Sequence, residues 1–415
     1  MYALGAIVVS LLALVVLLRF GVKIGLSLVV AAGVLAVLLG VTPQAMWGRL
    51  VDEWTNKALT QTTPYLFASL TSLLLLVNVV GEAMGQIGLS SRLVPAMQGL
   101  FRSRRVALAA IPLMMGMLPT PGGIMLSAPM VREAGDKIGV DRSRLAAINF
   151  FFRHQWEPVW PLFPAIPLIQ GMLGVSAGRL LAHHIVLTAA GIVSGIVFLL
   201  LAGIPPRQRE HTEARAGLRL HTRDFVHAFW PIAFTAILYI VLDVPPAIAI
   251  FLAILGLLLL HRVCVRRWGG IFKAAKEPDM VLLLFGALWF KLNLEAGGAV
   301  GSVVDFFAQL HMPASLIVFL LPFLVAASTG VTMGTVAITY PFLMAYITQG
   351  GQTNLGLETL AFAGLQFGLS ISPIHLCLAL SASYFHTPLA RIILRVLPPA
   401  LCIAAAGFLM ALSAF

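Results

Sequence analysis

The chain is poor in charge, in cysteine and in the motifs of intramembrane hydrolases. Only 10% of its 415 residues are charged and 60% are hydrophobic, a balance that excludes a soluble globular protein. The mean hydropathy of +0.97 and apolar runs of about 20 residues predict membrane-spanning helices instead. The HExxH motif of zinc-dependent hydrolases is absent. We therefore predict a membrane protein that is not an enzyme.

Cysteine and net charge restrict the possible ligands and partners. Cys264, Cys377 and Cys402 have neither the spacing of a metal site nor that of a disulfide framework, so we predict no metal and no cofactor. The net charge of +11 would suit nucleic acid. The basic residues, however, fall in loops between apolar runs, which is typical of membrane proteins. We expect membrane lipids as surroundings and no nucleic-acid partner.

Apolar runs predict two sets of five spans, with boundaries uncertain by several residues. The first set is Tyr2–Leu18, Val22–Val41, Pro64–Gln86, Leu145–Leu173 and Ala177–Ile204. The second set is Phe225–Leu242, Pro245–His261, Met280–Gly297, Glu358–Tyr384 and Leu389–Ser413. Two further apolar pieces, 106–131 and 313–347, are interrupted at 119–123 and 328–334 by proline or glycine with hydroxyl residues. We predict these two pieces to be re-entrant hairpins.

Ionisable residues interrupt one of the apolar runs. Arg153, His154 and Glu157 lie in the run from Phe151 to Leu168, beside Pro158. Proline removes a backbone donor and crowds the preceding turn, so a helix break is expected there. Ionisable groups within a membrane are costly and mark ion, proton or substrate pathways. The second half has a counterpart from Gln366 to Phe385, with Pro373 at the break and His375 two residues later.

Loop charge sets the orientation, since Lys and Arg accumulate on the cytoplasmic side. With both termini outside and both hairpins returning to their side of entry, most basic residues face inward. The segments 298–312 and 348–357 have no Lys or Arg, as external loops should. The fold class is thus an all-α membrane protein with two inverted repeats of five transmembrane helices, each with one re-entrant hairpin and one broken helix.

The predicted domain organisation follows from this order. The first inverted repeat covers 1–204, with hairpin 106–131 and broken helix 145–173. A cytoplasmic basic linker covers 205–224, and the second repeat covers 225–415, with hairpin 313–347 and broken helix 358–384. The connectors 42–61 and 262–277 carry tryptophan and charge, which predicts amphipathic helices in the membrane interface.

The order of elements, the hairpin tips PTPGG and STG, and especially the segment GLSISPIHLCLALSASYF resemble the family called domain of unknown function 401. That family is placed in the ion transporter superfamily, with the gluconate, citrate and C4-dicarboxylate permeases. The resemblance covers nearly the whole chain. It implies a homodimer in which a transport domain of hairpins and broken helices slides against a scaffold. The hairpin tips of sodium-coupled carboxylate carriers resemble Ser-Asn-Thr, whereas both hairpin tips of this chain lack asparagine.

Glycine-rich hairpin tips suit an anionic ligand. Half-helices that begin at such tips point positive dipole ends and free amides toward the midplane. Glycine lets backbone approach a ligand, and hydroxyls can donate to it. The alternative is that these glycines only form tight turns. The candidate substrate-binding residues are Thr120, Pro121, Gly122, Gly123, Ser328, Thr329, Gly330, Thr332, Gly334, Thr335, Ser372, Asn78 and Asn293.

Proton coupling needs groups that titrate inside the membrane. The candidates are Glu157, His375, Arg153 and His154. Arg153 and Glu157 have the i, i+4 spacing of a helical ion pair, as do Lys291 and Glu295, for which we favour a structural role. The alternative for Glu157 and His375 is that they only support the helix breaks. Glu82, His183 and His184 lie near predicted helix ends and are expected at the membrane interface. The adjacent histidines could bind a metal ion, but this is the less favoured interpretation.

We predict a secondary active, elevator-type transporter of a small organic anion, working as a symporter in the inner membrane with H+ preferred to Na+. A sodium-coupled carboxylate carrier is one alternative. A lipid or polyprenyl-phosphate translocase is another, since an anionic headgroup suits the same dipole ends. A channel would need a continuous polar pore, which two hairpins facing opposite sides do not provide.

Overall fold

The computed structural model describes residues 2–89, 103–117, 124–202, 204, 218–349 and 351–413. Within these ranges the chain is almost wholly helical. The first part has α1 (Tyr2–Arg19), α2 (Ile24–Leu38), α3 (Pro43–Asn56), a 3₁₀ turn (Leu59–Gln61), α4 (Thr63–Ile87), α5 (Arg104–Gly116), α6 (Ile124–Asp136), α7 (Arg142–Arg153), α8 (Ala165–Leu173) and α9 (Ala177–Gly195), which continues as a π-helix (Ile196–Leu201).

The second part of the chain also consists mainly of α-helices. Its elements are α10 (Leu218–Leu242), α11 (Pro246–Leu260), α12 (Val265–Ala274), α13 (Pro278–Ala296), α14 (Ala299–Gln309), α15 (Ala314–Thr329), α16 (Thr332–Ile347), β1 (Thr348–Gln349), β2 (Gln352–Thr353), α17 (Leu355–Ile371), α18 (Leu376–Tyr384) and α19 (Leu389–Ser413). The two strands pair antiparallel, with Thr348 opposite Thr353.

Six helical segments in the described part of the chain are long and apolar enough to cross a membrane, and up to eight if two bent helix pairs each count as one span. They are Tyr2–Arg19, Thr63–Ile87, Ala177–Leu201, Leu220–Leu242, Leu355–Tyr384 and Leu389–Ser413. The protein is therefore a multi-pass membrane protein.

Helices α5, α6, α15 and α16 are each too short to cross a bilayer, and they pack as two hairpins. Helices α15 and α16 have 16 residues each and contact each other, as do the 13-residue helices α5 and α6. At 1.5 Å per residue they reach about 24 Å and about 20 Å, short of the roughly 30 Å hydrocarbon core. The predicted first tip, 119–123, lies outside the described residues, whereas the second tip, between Thr329 and Thr332, is described.

Both proline-marked segments are broken helices. Helix α7 ends at Arg153 and α8 begins at Ala165, and the irregular stretch between them contains Pro158, Pro161 and Pro164. Helix α17 ends at Ile371 and α18 begins at Leu376. The prolines cannot donate a backbone hydrogen bond, so a regular helix cannot run through either segment.

Short amphipathic helices flank the spans. Helix α3 turns 107° from α2 and exposes Trp47 and Trp54, as an interfacial helix should. Helix α14, which turns 72° from α13, replaces the irregular external loop expected at 298–312. Helix α10 also begins at Leu218 rather than Phe225. Both differences arise because polar residues within these helices interrupt the apolar run that indicates a span.

Helices α15, α17 and α19 pack side by side, and α15 lies very close to α17. A Cβ atom added at Gly364 or Gly368 would overlap the backbone of α15 at the carbonyl oxygens of Phe319 and Phe323. Small residues one turn apart allow this approach, as is common in membrane helix interfaces. The close contact fixes the first half of the second broken helix against the second hairpin.

Candidate functional site

A cavity of about 230 Å³ lies where the two helix breaks meet α4 and the first hairpin. The break in α7–α8 contributes Arg153, His154 and Glu157, and the break in α17–α18 contributes His375 and Cys377. The remaining wall includes Asn78 of α4, Gly116 of α5 and Met280 of α13. The structure thus brings the four candidate proton-coupling residues together around one space.

Glu157 is buried and held by the second hairpin. The Thr332 hydroxyl donates to Glu157 Oε2 over 3.1 Å, and Glu157 Oε1 lies 3.9 Å from His154 Nε2. Thr332 is the first residue of α16, so the hydrogen bond joins the hairpin tip to the first break. A carboxylate at a helix N-terminus also interacts favourably with the helix dipole.

His154 and His375 face each other across the two breaks. Their Nε2 atoms are 3.2 Å apart, and their rings pack edge to face. Each Nδ1 atom lies 2.7 Å from a backbone carbonyl oxygen, that of Phe150 for His154 and that of Gly330 for His375. A carbonyl only accepts, so each Nδ1 carries the proton and donates it.

Gly330 closes the second hairpin against the second break. Its φ is +69°, in the left-handed region, where glycine ends a helix without strain. A Cβ atom there would lie 3.0 Å from the Cα and N atoms of His375. Both the conformation and the close approach therefore require glycine. Ser372 adds a second tie by donating to the Ala327 carbonyl over 2.8 Å.

Arg153 does not form the predicted intrahelical pair, because α7 ends at Arg153 and the backbone has left the helical path before Glu157. Its Nη1 atom donates instead to the Met115 carbonyl over 2.8 Å. The backbone of α7 also lies so close to α5 that a Cβ atom at Gly116 would overlap the Arg153 carbonyl. Arg153 therefore anchors the end of α7 to the first hairpin.

Most hydroxyls at the second tip are directed at backbone. Ser328 donates to Leu324, Thr329 to Val325 and Thr335 to Val331, each to a carbonyl within 3.0 Å. A Cβ atom added at Gly334 would make only van der Waals contacts, at 3.8 Å or more. Of the tip residues in the described part of the chain, Thr332 is the one that contacts Glu157. Thr120, Pro121, Gly122 and Gly123 lie outside the described residues.

The two candidate asparagines lie in different places. Asn78 lines the cavity, whereas Asn293 is fully buried and donates to the Ala32 carbonyl of α2 over 2.9 Å. Asn293 is thus a contact between α13 and α2. A third asparagine, Asn149, was not singled out from the sequence. It bonds Ser127 of α6 over 2.6 Å and lies 3.4 Å from Ser381 of α18, so it joins a hairpin half to both broken helices.

The family is decided by comparison with known protein families. The model for "Protein of unknown function (DUF401)" matches residues 4–413, nearly the whole chain. The chain belongs to this family. No curated protein matches it. Among solved structures, the YdaH transporter of Alcanivorax borkumensis is similar, with a TM-score of 0.57 and 14% identity over 88% of this chain and 86% of that one. The fold of this DUF401 member is therefore like that of a transporter.

A second buried acid, Glu358, was not predicted from the sequence, and His184, which was expected at the membrane interface, is its partner. His184 is fully buried, and its Nε2 lies 2.6 Å from Glu358 Oε2, while Tyr340 donates to Glu358 Oε1 over 2.8 Å. His184 Nδ1 donates to the Pro158 carbonyl over 2.7 Å, so the network supports the first break. His183 is half-buried, and its Nδ1 atom bonds the Arg179 carbonyl within its own helix. Both ring nitrogens of His184 already have partners, which argues against the histidine pair as a metal site.

Lys291 and Glu295 form the predicted ion pair, at 3.3 Å, as part of a larger network. Lys291 is closer to Glu53, at 2.7 Å, and also donates to Thr63 over 3.1 Å. Glu53 belongs to α3 and accepts from the Thr63 amide as well. The network therefore fixes the amphipathic connector to α13, which agrees with the structural role favoured for this pair.

One GxSxG run, at 174–178, has no structural context for catalysis. Ser176 is the N-cap of α9, and the run joins two helices. A nucleophile elbow instead places its serine between a strand and a helix. The run is a helix-initiating turn.

Proposed function

We propose that the protein is a secondary active, elevator-type transporter of a small organic anion, coupled to H+, which works as a homodimer in the inner membrane. The observation that carries this proposal is the convergence of both helix breaks and the second hairpin tip on Glu157, His154 and His375. Transporters typically place substrate and coupling ion where discontinuous helices meet.

The order of elements supports the inverted repeats that this mechanism uses. Two apolar helices, an amphipathic helix, another apolar helix, a hairpin, a broken helix and a final span occur in α1–α9 and again in α10–α19, with α14 added. We propose that residues 1–204 and 225–415 are the two repeats, with the basic linker between them and both termini outside. Each repeat contributes one break to the cavity.

Proton coupling is supported by the chemistry of the cavity wall. A carboxyl 3.9 Å from one imidazole, which itself lies 3.2 Å from a second, forms a cluster that can bind and exchange a proton. Glu157 also accepts from Thr332 at the hairpin tip. A proton on the carboxylate removes its charge, which weakens this charge-assisted hydrogen bond and would release the tip. Protonation and hairpin movement are thereby linked at one residue.

An anionic substrate is supported by the charge and amides around the same space. Arg153 lines the cavity, and α16 begins at the hairpin tip, so its positive dipole end faces the site. The volume of about 230 Å³ suits a small solute. The absence of asparagine from the tips 119–123 and 328–334 favours H+ over Na+.

Proton-driven uptake in proteoliposomes tests the proposal. Vesicles loaded with a pH-sensitive dye receive gluconate, citrate or succinate, with and without a sodium gradient. We expect one of these acids to acidify the vesicle interior without sodium. Uptake that depends on sodium alone would replace H+ by Na+, and no uptake of any carboxylate would overturn the substrate class.

Glu157→Gln tests the coupling residue. The amide keeps the shape and can still accept from Thr332 but cannot take up a proton, so we expect substrate-induced acidification to be abolished. Glu133→Gln is the matched control, since Glu133 is exposed on α6, and it should transport like the wild type. Thermal stability and substrate-induced stabilisation check folding and binding. Unchanged acidification in Glu157→Gln would remove Glu157 from the mechanism.

A further inference from the structure

Three metal-binding side chains meet in the cavity, although the chain shows no metal-site spacing. The ligand atoms of His154, His375 and Cys377 all lie within 4.8 Å of one another. The two histidines are 221 positions apart, so only the fold brings them together. We propose that this cluster is a binding site for a divalent transition metal of the Zn²⁺ class.

The tautomers of the two histidines argue for a cation between them. Because both Nδ1 atoms donate to backbone carbonyls, neutral imidazoles would direct two lone pairs at each other across 3.2 Å. Such a contact is repulsive unless a proton or a metal ion lies between the nitrogens. A donation from Nδ1 to a carbonyl is also the usual support for a metal-binding histidine, since it fixes the ring and directs Nε2 at the ion.

The separation of the nitrogens fits a metal ion. With Zn–N bonds of about 2.05 Å, two nitrogens 3.2 Å apart subtend an angle of roughly 100° at the ion, near the tetrahedral value. Ligand atoms of one tetrahedral zinc site are about 3.3–3.7 Å apart. The ligand atoms of this cluster lie within 4.8 Å of one another, so side-chain shifts of roughly 1 Å would bring them to the distances that zinc requires.

The donor set selects the class of metal. Two imidazoles and a thiolate suit Zn²⁺ and related ions, whereas Mg²⁺ and Ca²⁺ prefer oxygen ligands. Glu157 Oε1, 3.9 Å from His154 Nε2, can supply the fourth ligand. A divalent ion with one thiolate and one carboxylate has no net charge, which limits the cost of burying it.

Occupation would join the two breaks through one ion, since His154 belongs to the first break and both His375 and Cys377 follow the second. If the proposed proton coupling is right, Zn²⁺ occupies the nitrogens and the carboxylate that coupling uses, and it should block transport. Metal binding itself does not depend on that function and is measured separately.

The test uses full-length protein in detergent, stripped of metal with a chelator. Co²⁺ and Zn²⁺ are each added alone, with elemental analysis for stoichiometry and absorption spectra for Co²⁺. We expect one ion per chain and a thiolate-to-cobalt charge-transfer band. Cys377→Ser should remove that band, and His154→Gln should weaken Zn²⁺ binding by roughly tenfold or more. Cys402→Ser and His183→Gln are the matched controls and should bind like the wild type.

X-ray absorption at the zinc edge of the wild-type protein provides a measurement that needs no variant. We expect one sulfur at about 2.3 Å and nitrogen ligands at about 2.0–2.1 Å. A zinc shell without sulfur, or equal binding in Cys377→Ser and Cys402→Ser, would show an adventitious ion only and overturn the proposal. Metal binding without uptake of any carboxylate would retain the metal site and reject the proposed substrate class.

Discussion

At the scale of single residues, Glu358 is a fully buried acid with two hydrogen-bonding partners, His184 and Tyr340. Because His184 Nδ1 donates to a carbonyl, the 2.6 Å contact between Nε2 and Glu358 requires one proton shared by the pair. We expect Glu358→Ala to lower the free energy of unfolding by about 3 kcal/mol, since it leaves Tyr340 and His184 without their buried partner. Tryptophan fluorescence during thermal unfolding measures the loss.

Two further variants, one at Glu358 and one at the exposed Glu133, serve as controls. Glu358→Gln can accept from Tyr340 and donate to His184, so it should retain most of the stability. Glu133→Ala removes an exposed ion pair with Lys137 and should change the free energy of unfolding by less than about 1 kcal/mol. Equal stability of Glu358→Ala and wild type would contradict the network.

Glu53 makes stability depend on pH in the acid range. Burial alone would raise its pKa, but Lys291, Lys57 and the Thr63 amide outweigh burial and lower the pKa from 4.5 to about 2. A lowered pKa in the folded state stabilises the protein above the unfolded value, and the contribution is lost as pH falls from about 4.5 toward 2. We expect the unfolding temperature to fall over this interval, and to fall less steeply in Glu53→Gln. Parallel curves for the two proteins would refute the assignment.

The sequence could indicate ionisable residues beside a break but not their partners. Glu157, His154 and His375 each lie near a proline, and the structure places them at one cavity, while their roles remain predictions. The contact between His184 and Glu358 could not be predicted, because 174 positions separate residues that each lie near the end of a predicted span. The Arg153 pairing failed because the i, i+4 rule assumes a helix that Pro158 interrupts.

At the scale of elements, the close packing of α15 on α17 depends on glycine. We expect Gly368→Ala to destabilise the protein by about 1–3 kcal/mol, because the added methyl group overlaps the Phe323 carbonyl. Gly269→Ala in α12 meets nothing within 4 Å and should stabilise the protein by about 0.5–1 kcal/mol. Thermal unfolding of both variants makes the comparison, and destabilisation of equal size would exclude the packing explanation.

Helix boundaries follow hydropathy where an element is apolar and depart from it elsewhere. Six of the ten predicted spans, the turn of the second hairpin between Thr329 and Thr332 and both helix breaks could be predicted, because proline, glycine and apolar length have direct backbone consequences. Helix α14 and the start of α10 could not, since an amphipathic helix and a charged first turn lack an apolar run. The β1–β2 pair is too short to leave a pattern in the sequence.

At the scale of the whole molecule, the proposed orientation can be tested by labelling. Cys264 is exposed and lies in a basic segment predicted to be cytoplasmic, whereas Gln352 is exposed in a segment predicted to be external. With Cys377 and Cys402 replaced by serine, an impermeant maleimide should label Cys264 only in permeabilised cells. Gln352→Cys, with Cys264→Ser added, should be labelled in intact cells. The opposite pattern would invert the topology.

The 3.2 Å contact between His154 and His375 has a consequence for biosynthesis. Arg153, His154 and Glu157 leave the ribosome long before the segment that carries His375 has been made. Until then the first break has neither the Gly330 tip nor its opposing imidazole, and its ionisable groups must stay hydrated or covered by other proteins. The surroundings of the first break are therefore complete only after α15–α18 have arrived, and a chain truncated ahead of them should be degraded by quality control.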